Sequence, residues 1–163
     1  MAAYDPAAWN DLFVAMAGAS AALAGLVFVA VSINVERILE YEGLPERALQ
    51  TLLLLVSVLI VSIILLIPGQ DTTAVGTELL VCALAFATLI WGRGVRSTDP
   101  AKRGAIAPDR LSLIVLGTVP FLIGAASLLL ESGGGLYWVV AAIVFATCGA
   151  VANAWVLLVE IRR

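Results

Sequence analysis

LFVAMAGASAALAGLVFVAVSINV, residues 12–35, runs without a single charged side chain. A helix rises about 1.5 Å per residue and a hydrocarbon core takes about 20 apolar residues to cross, so this run is long enough to span a bilayer. Working outward, residues 48–70, 111–130 and 132–159 are equally free of charge. A fifth stretch, residues 72–92, reaches the required length only if Glu78 is included near its start. Lipid offers no partner to an unpaired backbone N–H or C=O, so each run should be helical throughout. The expected fold is therefore an all-α membrane protein, a single membrane domain over residues 1–163. Its five transmembrane helices are expected at about residues 10–36, 47–68, 72–92, 110–131 and 136–160.

Composition agrees. The mean hydropathy is +1.07, and 13% of residues are charged, against about 25% in a typical soluble domain. That leaves too little polar side chain to cover a soluble globule. The residues ahead of the first run include Asp5 and Asp11 but no Lys or Arg. A cleaved signal peptide would place basic residues there, so the first helix is expected to be retained. The breaks between runs carry helix-ending residues: Gly43 and Pro45, Pro68 and Gly69, and the triplet Gly133, Gly134 and Gly135. Pro120 falls mid-span in the fourth helix, where it should kink the axis and free the carbonyl of Leu116.

Orientation follows from the cations, which favour the cytoplasmic side. Arg37 and Arg47 lie between the first and second spans. Arg93, Arg96, Lys102, Arg103 and Arg110 lie between the third and fourth, and Arg162 and Arg163 follow the fifth. Five spans put all nine on one face, whereas removing the Glu78 span divides them between two. The N-terminus is thus expected outside and the C-terminus in the cytoplasm. Trp9 and Trp138 mark the outer interface, and Trp91 and Trp155 the inner one.

Some function classes drop out. The net charge of −3 and a pI near 4.8 argue against nucleic-acid binding, which wants a basic patch. The chain has no histidine, which removes the commonest general base and metal ligand. Cys82 and Cys148 sit in separate apolar runs and read as two buried thiols, not as a disulfide or redox pair. No phosphate-binding glycine loop, serine elbow or metal constellation is present. No enzymatic activity, cofactor or metal is expected.

The candidate functional features lie within the spans. Residues 15–25 read AMAGASAALAG, with small-xxx-small pairs such as Gly18 with Ala22 and Ala21 with Gly25. Such pairs allow close backbone approach and suit a bundle centre or an oligomer seam. In a second reading, Ser20, Ser32 and Asn34 of the same helix line a pathway. The fifth span carries a complementary face of Ala142, Ala146, Gly149, Ala150 and Asn153 at three-to-four spacing. It is expected to pack on the first, with Asn153 forming an interhelical hydrogen bond. Glu78, roughly 9 Å into its helix at ~1.5 Å per residue, must find a partner, meet water or take up a proton. It shares a face with Cys82, Ala85 and Leu89 that would point into protein. Alternatively, the helix starts later and Glu78 lies among the outer headgroups. Asp5, Asp11, Asp71, Glu78 and Glu131 make the outer side acidic, as at a cation-selective pore mouth. On the inner side, the basic residues 93–110 suit anionic lipid or a partner protein.

Two strings, WNDLFVAMAGASAALAGLVFVAVSINVERIL (residues 9–39) and ALQTLLLLVSVLIVSIILLIPGQ (residues 48–70), resemble a group of small multi-spanning actinobacterial membrane proteins. Some members of that group are labelled modulators of the FtsH membrane protease. The resemblance implies no catalytic or ligand residues. Eight arginines to one lysine and abundant alanine fit a high-GC bacterial source. The leading expectation is an accessory, regulatory or scaffold protein of the bacterial inner membrane. It would work through helix–helix contacts in a homo-oligomer or a larger membrane complex. A homo-oligomeric cation channel or small-solute pore is the alternative.

Overall fold

A computed structural model describes residues 2–41, 43–94 and 108–160, and among them the regular structure is entirely helical. Two short 3-10 turns, Ala2–Tyr4 and Pro6–Trp9, lead into α1 (Asn10–Ile33). Then follow α2 (Val35–Glu40), α3 (Leu44–Leu65), α4 (Thr72–Gly94), α5 (Pro108–Leu129) and α6 (Leu136–Glu160). The five long helices lie where the uncharged runs predict them. Boundaries shift by up to three residues, with α3 at Leu44–Leu65 where 47–68 was expected, and the first helix does not continue to residue 36 but breaks at Asn34, whose Nδ2 donates back to the Ala30 carbonyl (2.8 Å). An asparagine side chain that bonds its own backbone competes with helix continuation, and the short α2 begins at Val35, directly after it. Gly43, at φ +85°, makes the next turn, and Pro45 occupies the first turn of α3, where its missing N–H costs nothing. Pro120 lies inside α5 without ending it.

Four helical stretches among the described residues are long and apolar enough to cross a membrane: Pro6–Ile33, Leu44–Leu65, Thr72–Leu89 and Leu136–Val159. The shorter apolar stretch Gly117–Leu129 belongs to α5.

Packing makes α3 the hub. It meets α1, α4 and α6, while α5 fills the space between α4 and α6. Half of α3 is buried, on more than one side, including Leu54, Leu55, Val58, Val61 and Leu65. One apolar cluster joins all five long helices: Phe13 from α1, the α3 residues just named, Val75 and Leu79 from α4, Phe121 and Leu128 from α5, and Val139 and Ile143 from α6. Successive helices are antiparallel. Gly76, early in α4, lies against Leu128 and Leu129, late in α5, and Gly124 of α5 lies against Val139 of α6. The N-terminal turns, the α3–α4 turn and the α5–α6 turn therefore share one end of the bundle. A second, smaller cluster of Ile38, Leu44, Ala48 and Leu157 closes the opposite end.

The expected pairing of the first and last spans is corrected. The face carrying Ala142, Ala146, Gly149, Ala150 and Asn153 is buried as read, but α6 packs chiefly on α3 and α5, and α1 approaches it only around Val31 and Leu157. Small-residue spacing identifies a face that can approach another helix closely, and it does not name the partner.

Candidate functional site

Only one side of α1 faces the bundle. Phe13 and Ser20 are buried, and Met16, Leu23, Ala24 and Val27 pack against the core. At about 100° per residue, these positions cluster within a stripe that faces α3. Ala15, Gly18, Ala22, Gly25, Val29 and Ser32 form a second stripe at alternating three- and four-residue spacing, about 180° away. Every one of these six is exposed. A Cβ built on Gly18 or Gly25 would meet nothing within 4 Å. The small residues singled out for packing thus do not pack within one copy of the chain. Larger side chains make the internal contact, and the thin face looks outward.

The polar residues of α1 are satisfied by their own helix. Ser20 Oγ donates to the carbonyls of Met16 (2.7 Å) and Ala17 (3.2 Å), and Ser32 Oγ donates to Phe28 (2.8 Å). Ser20 faces α3, Ser32 faces outward, and Asn34 occupies the break before α2. Asp11 is exposed in the first turn of α1, where the partial positive charge of the helix start favours a carboxylate. Asn153 is 6% exposed on the inward face of α6. None of these residues lines the open groove between α1 and α6 or the small space between α3, α4 and α5, which are bounded mainly by aliphatic and small side chains. The structure does not gather them into one polar path.

Glu78 has a definite partner. Asp71 caps α4, its Oδ1 accepting from the Ala74 amide at 2.8 Å, so the helix does start early enough to hold Glu78 near the end of its second turn. Gln70, in the α3–α4 turn, reaches across and donates Nε2 to Glu78 Oε2 at 2.9 Å. The carboxylate is thereby drawn toward the end of the bundle. The face shared with Cys82, Ala85 and Leu89 does not point inward: Ala85 and Leu89 are exposed, while Val75, Gly76, Leu79 and Ala83 are buried. Cys82 is half-buried and Cys148 is exposed, both unpaired, so the expectation of two buried thiols fails for Cys148. It lies on the outer flank of α6, beside exposed Val144 and Phe145.

The same end of the bundle holds an aromatic strap that sequence reasoning missed. The Gly134 amide donates to Tyr4 Oη at 3.1 Å, and Trp9 meets the Tyr137 ring edge-on at 4.9 Å between centroids. Trp9 Nε1 donates to the Ala2 carbonyl (2.7 Å) and Trp138 Nε1 to Gly133 (2.8 Å). The α5–α6 turn is held from within by Ser127, whose Oγ bonds the Ser132 carbonyl and accepts from the Gly135 amide (2.8 Å). Trp155, at the opposite end, is 70% exposed. The side chain of Trp91 and most of the basic segment 93–110 lie outside the described residues.

No protein family, characterised protein or solved structure matches this chain.

Proposed function

We propose that the chain is a five-span protein of the bacterial inner membrane, acting as an accessory or scaffold through helix–helix contact. It presents the outward stripe of α1 to a second copy of itself or to a helix of a larger complex. The observation that carries this reading is the stripe of Ala15, Gly18, Ala22 and Gly25, exposed on the side of α1 opposite Phe13, Met16, Leu23 and Val27 and flanked by the exposed Val14, Leu26 and Phe28. In lipid, apolar area alone does not drive helices together, so association depends on close packing, and small residues permit it. A lone lipid-facing helix has no use for such a stripe.

The five-span topology draws support from α5, which is 22 residues long and antiparallel to both α4 and α6. The end holding the N-terminal turns carries Asp5, Asp11, Asp71 and Glu131, and the opposite end carries Arg37 and Arg47. The positive-inside bias then assigns the N-terminal end to the outside.

The test is Gly18→Leu with Ala22→Leu in the full chain, purified in mild detergent. Both positions are exposed, so the fold should survive. The expected result is loss of the larger particle, down to one 17.0 kDa chain with its micelle, together with loss of co-purifying partners. An unchanged mass and partner set in the double variant would refute the reading.

A further inference from the structure

Lodged between α4 and α6, α5 reaches α3 chiefly through side chains across a small space near the middle of the bundle. Gly117 of α5 comes so near to α3 that a Cβ there would lie 2.8 Å from Leu54 Cδ2. Beside that contact the helices do not close on each other. A space of about 10 Å³ remains, bounded by residues that include Leu54, Ser57 and Val61 of α3, Phe86 of α4, and Thr118 and Phe121 of α5. Ser57 stands roughly 12 Å from the C-terminal end of α3 at ~1.5 Å per residue, in a helix able to cross a membrane. The space therefore lies at hydrocarbon depth.

Two of its walls are polar, and both are buried: Ser57 is 5% exposed and Thr118 is 6% exposed. A hydroxyl carries one donor and two acceptor sites. Ser57 Oγ donates its proton within α3, to the Leu54 carbonyl at 2.7 Å, and its lone pairs remain able to accept. Among the described residues, no hydrogen bond engages the Thr118 hydroxyl. Lipid around the bundle offers nothing to such a group, and burying it without a partner is unfavourable.

We propose that this space is a binding site for one water molecule, which bridges Ser57 Oγ and Thr118 Oγ1 and so joins α3 to α5. Size selects the ligand. A single water takes about 10–15 Å³ of volume measured in this way, and a hydrated ion or an organic molecule does not fit. The chemistry agrees, because a buried water needs two to four polar partners and the hydroxyls supply two. The water donates one proton to Ser57 Oγ, whose own proton is engaged, and accepts the proton of Thr118. Pro120, two residues beyond Thr118, has no N–H to give and weakens α5 at this level. The bridge ties that weakened turn to the hub of the bundle.

The full chain, crystallised from a lipid mesophase at a resolution that shows ordered solvent, tests the site. One solvent peak is expected within hydrogen-bond distance of both Ser57 Oγ and Thr118 Oγ1, lost in Thr118→Val and kept in Thr118→Ser. No peak in the unmodified chain overturns the site, as does a direct bond between the two hydroxyls, or a peak that responds alike to Thr118→Val and Thr118→Ser. Unfolding of Ser57→Ala, Thr118→Val and the double variant in one detergent gives a second measure that needs no crystals. Ser57→Ala strands the Thr118 hydroxyl, so it should lower the folding equilibrium constant about five-fold more in the unmodified chain than in the Thr118→Val background. Effects that add to within about two-fold overturn the bridge.

Discussion

Gly135→Ala should release the N-terminal strap from the bundle. Gly135 has φ +50°, and a Cβ there would lie 2.2 Å from the Ala3 carbonyl oxygen and 2.9 Å from the Tyr4 ring. The carbonyl belongs to the backbone and cannot rotate away, so the segment carrying Tyr4 has to lift. Two contacts go with it. The Gly134 to Tyr4 hydrogen bond contributes about 1 kcal/mol net, and the edge-on pair of Trp9 and Tyr137 about 1 kcal/mol. The left-handed backbone itself costs an alanine about 1–2 kcal/mol, giving about 3–4 kcal/mol in all. Gly69→Ala supplies the matched reference, since Gly69 has φ +77° but its Cβ would meet nothing within 4 Å. It should cost only the backbone share, about 1–2 kcal/mol. Reversible unfolding in detergent measures both variants, and proteolysis of the first ten residues reports the strap directly. A double cycle with Tyr4→Phe should show coupling of about 1 kcal/mol, because both changes break one docking. Equal destabilisation by Gly135→Ala and Gly69→Ala, with unchanged proteolysis, would show that the strap does not sit on the α5–α6 turn.

Three further outcomes are expected. Phe13 is fully buried. In lipid the cavity term of ~24 cal/mol per Å³ dominates, so the ~100 Å³ lost in Phe13→Ala should cost about 2.4 kcal/mol, against almost nothing for exposed Phe28→Ala; denaturation of both variants in one detergent compares them. Gly124→Ala should destabilise more than Gly117→Ala, since its Cβ would press on the Val139 amide nitrogen (3.3 Å) as well as the Val139 side chain, whereas that of Gly117 meets only the end of the Leu54 side chain; thermal unfolding of the pair gives the ranking. In a chain lacking Cys82 and Cys148, Asp71→Cys should react with a membrane-impermeant thiol reagent added outside intact cells and Arg37→Cys should not. Labelling of both from one side would remove the five-span topology.

The long helices were legible because lipid leaves the backbone one solution, and an uncharged run of sufficient length announces it. The break at Asn34 was less so, since a hydropathy pattern records where a run ends and not where a side chain turns back on its own backbone. What α1 touches was not legible at all. Its small residues carry the same signature at the centre of a bundle and on an outer seam, and only the positions of Phe13, Met16 and Val27 against α3 separate the two. Glu78 was flagged by its charge, yet its partner Gln70 lies in a turn whose path no periodicity predicts. The strap was invisible for a similar reason, because Tyr4 and Gly134 meet only once the whole chain has been threaded back and forth.

The central place of α3 has a consequence for biosynthesis. The ribosome completes α3 at Leu65 and α6 at Glu160. Roughly 95 residues separate them, or about 5–20 s at ~5–20 residues per second. Through that interval the side of α3 that will receive α6 has no occupant from its own chain. The protein therefore cannot finish assembling helix by helix as it emerges. The α6 helix is the keystone, and a nascent chain stalled before Leu136 would leave an unfilled seat on α3 open to any neighbouring helix.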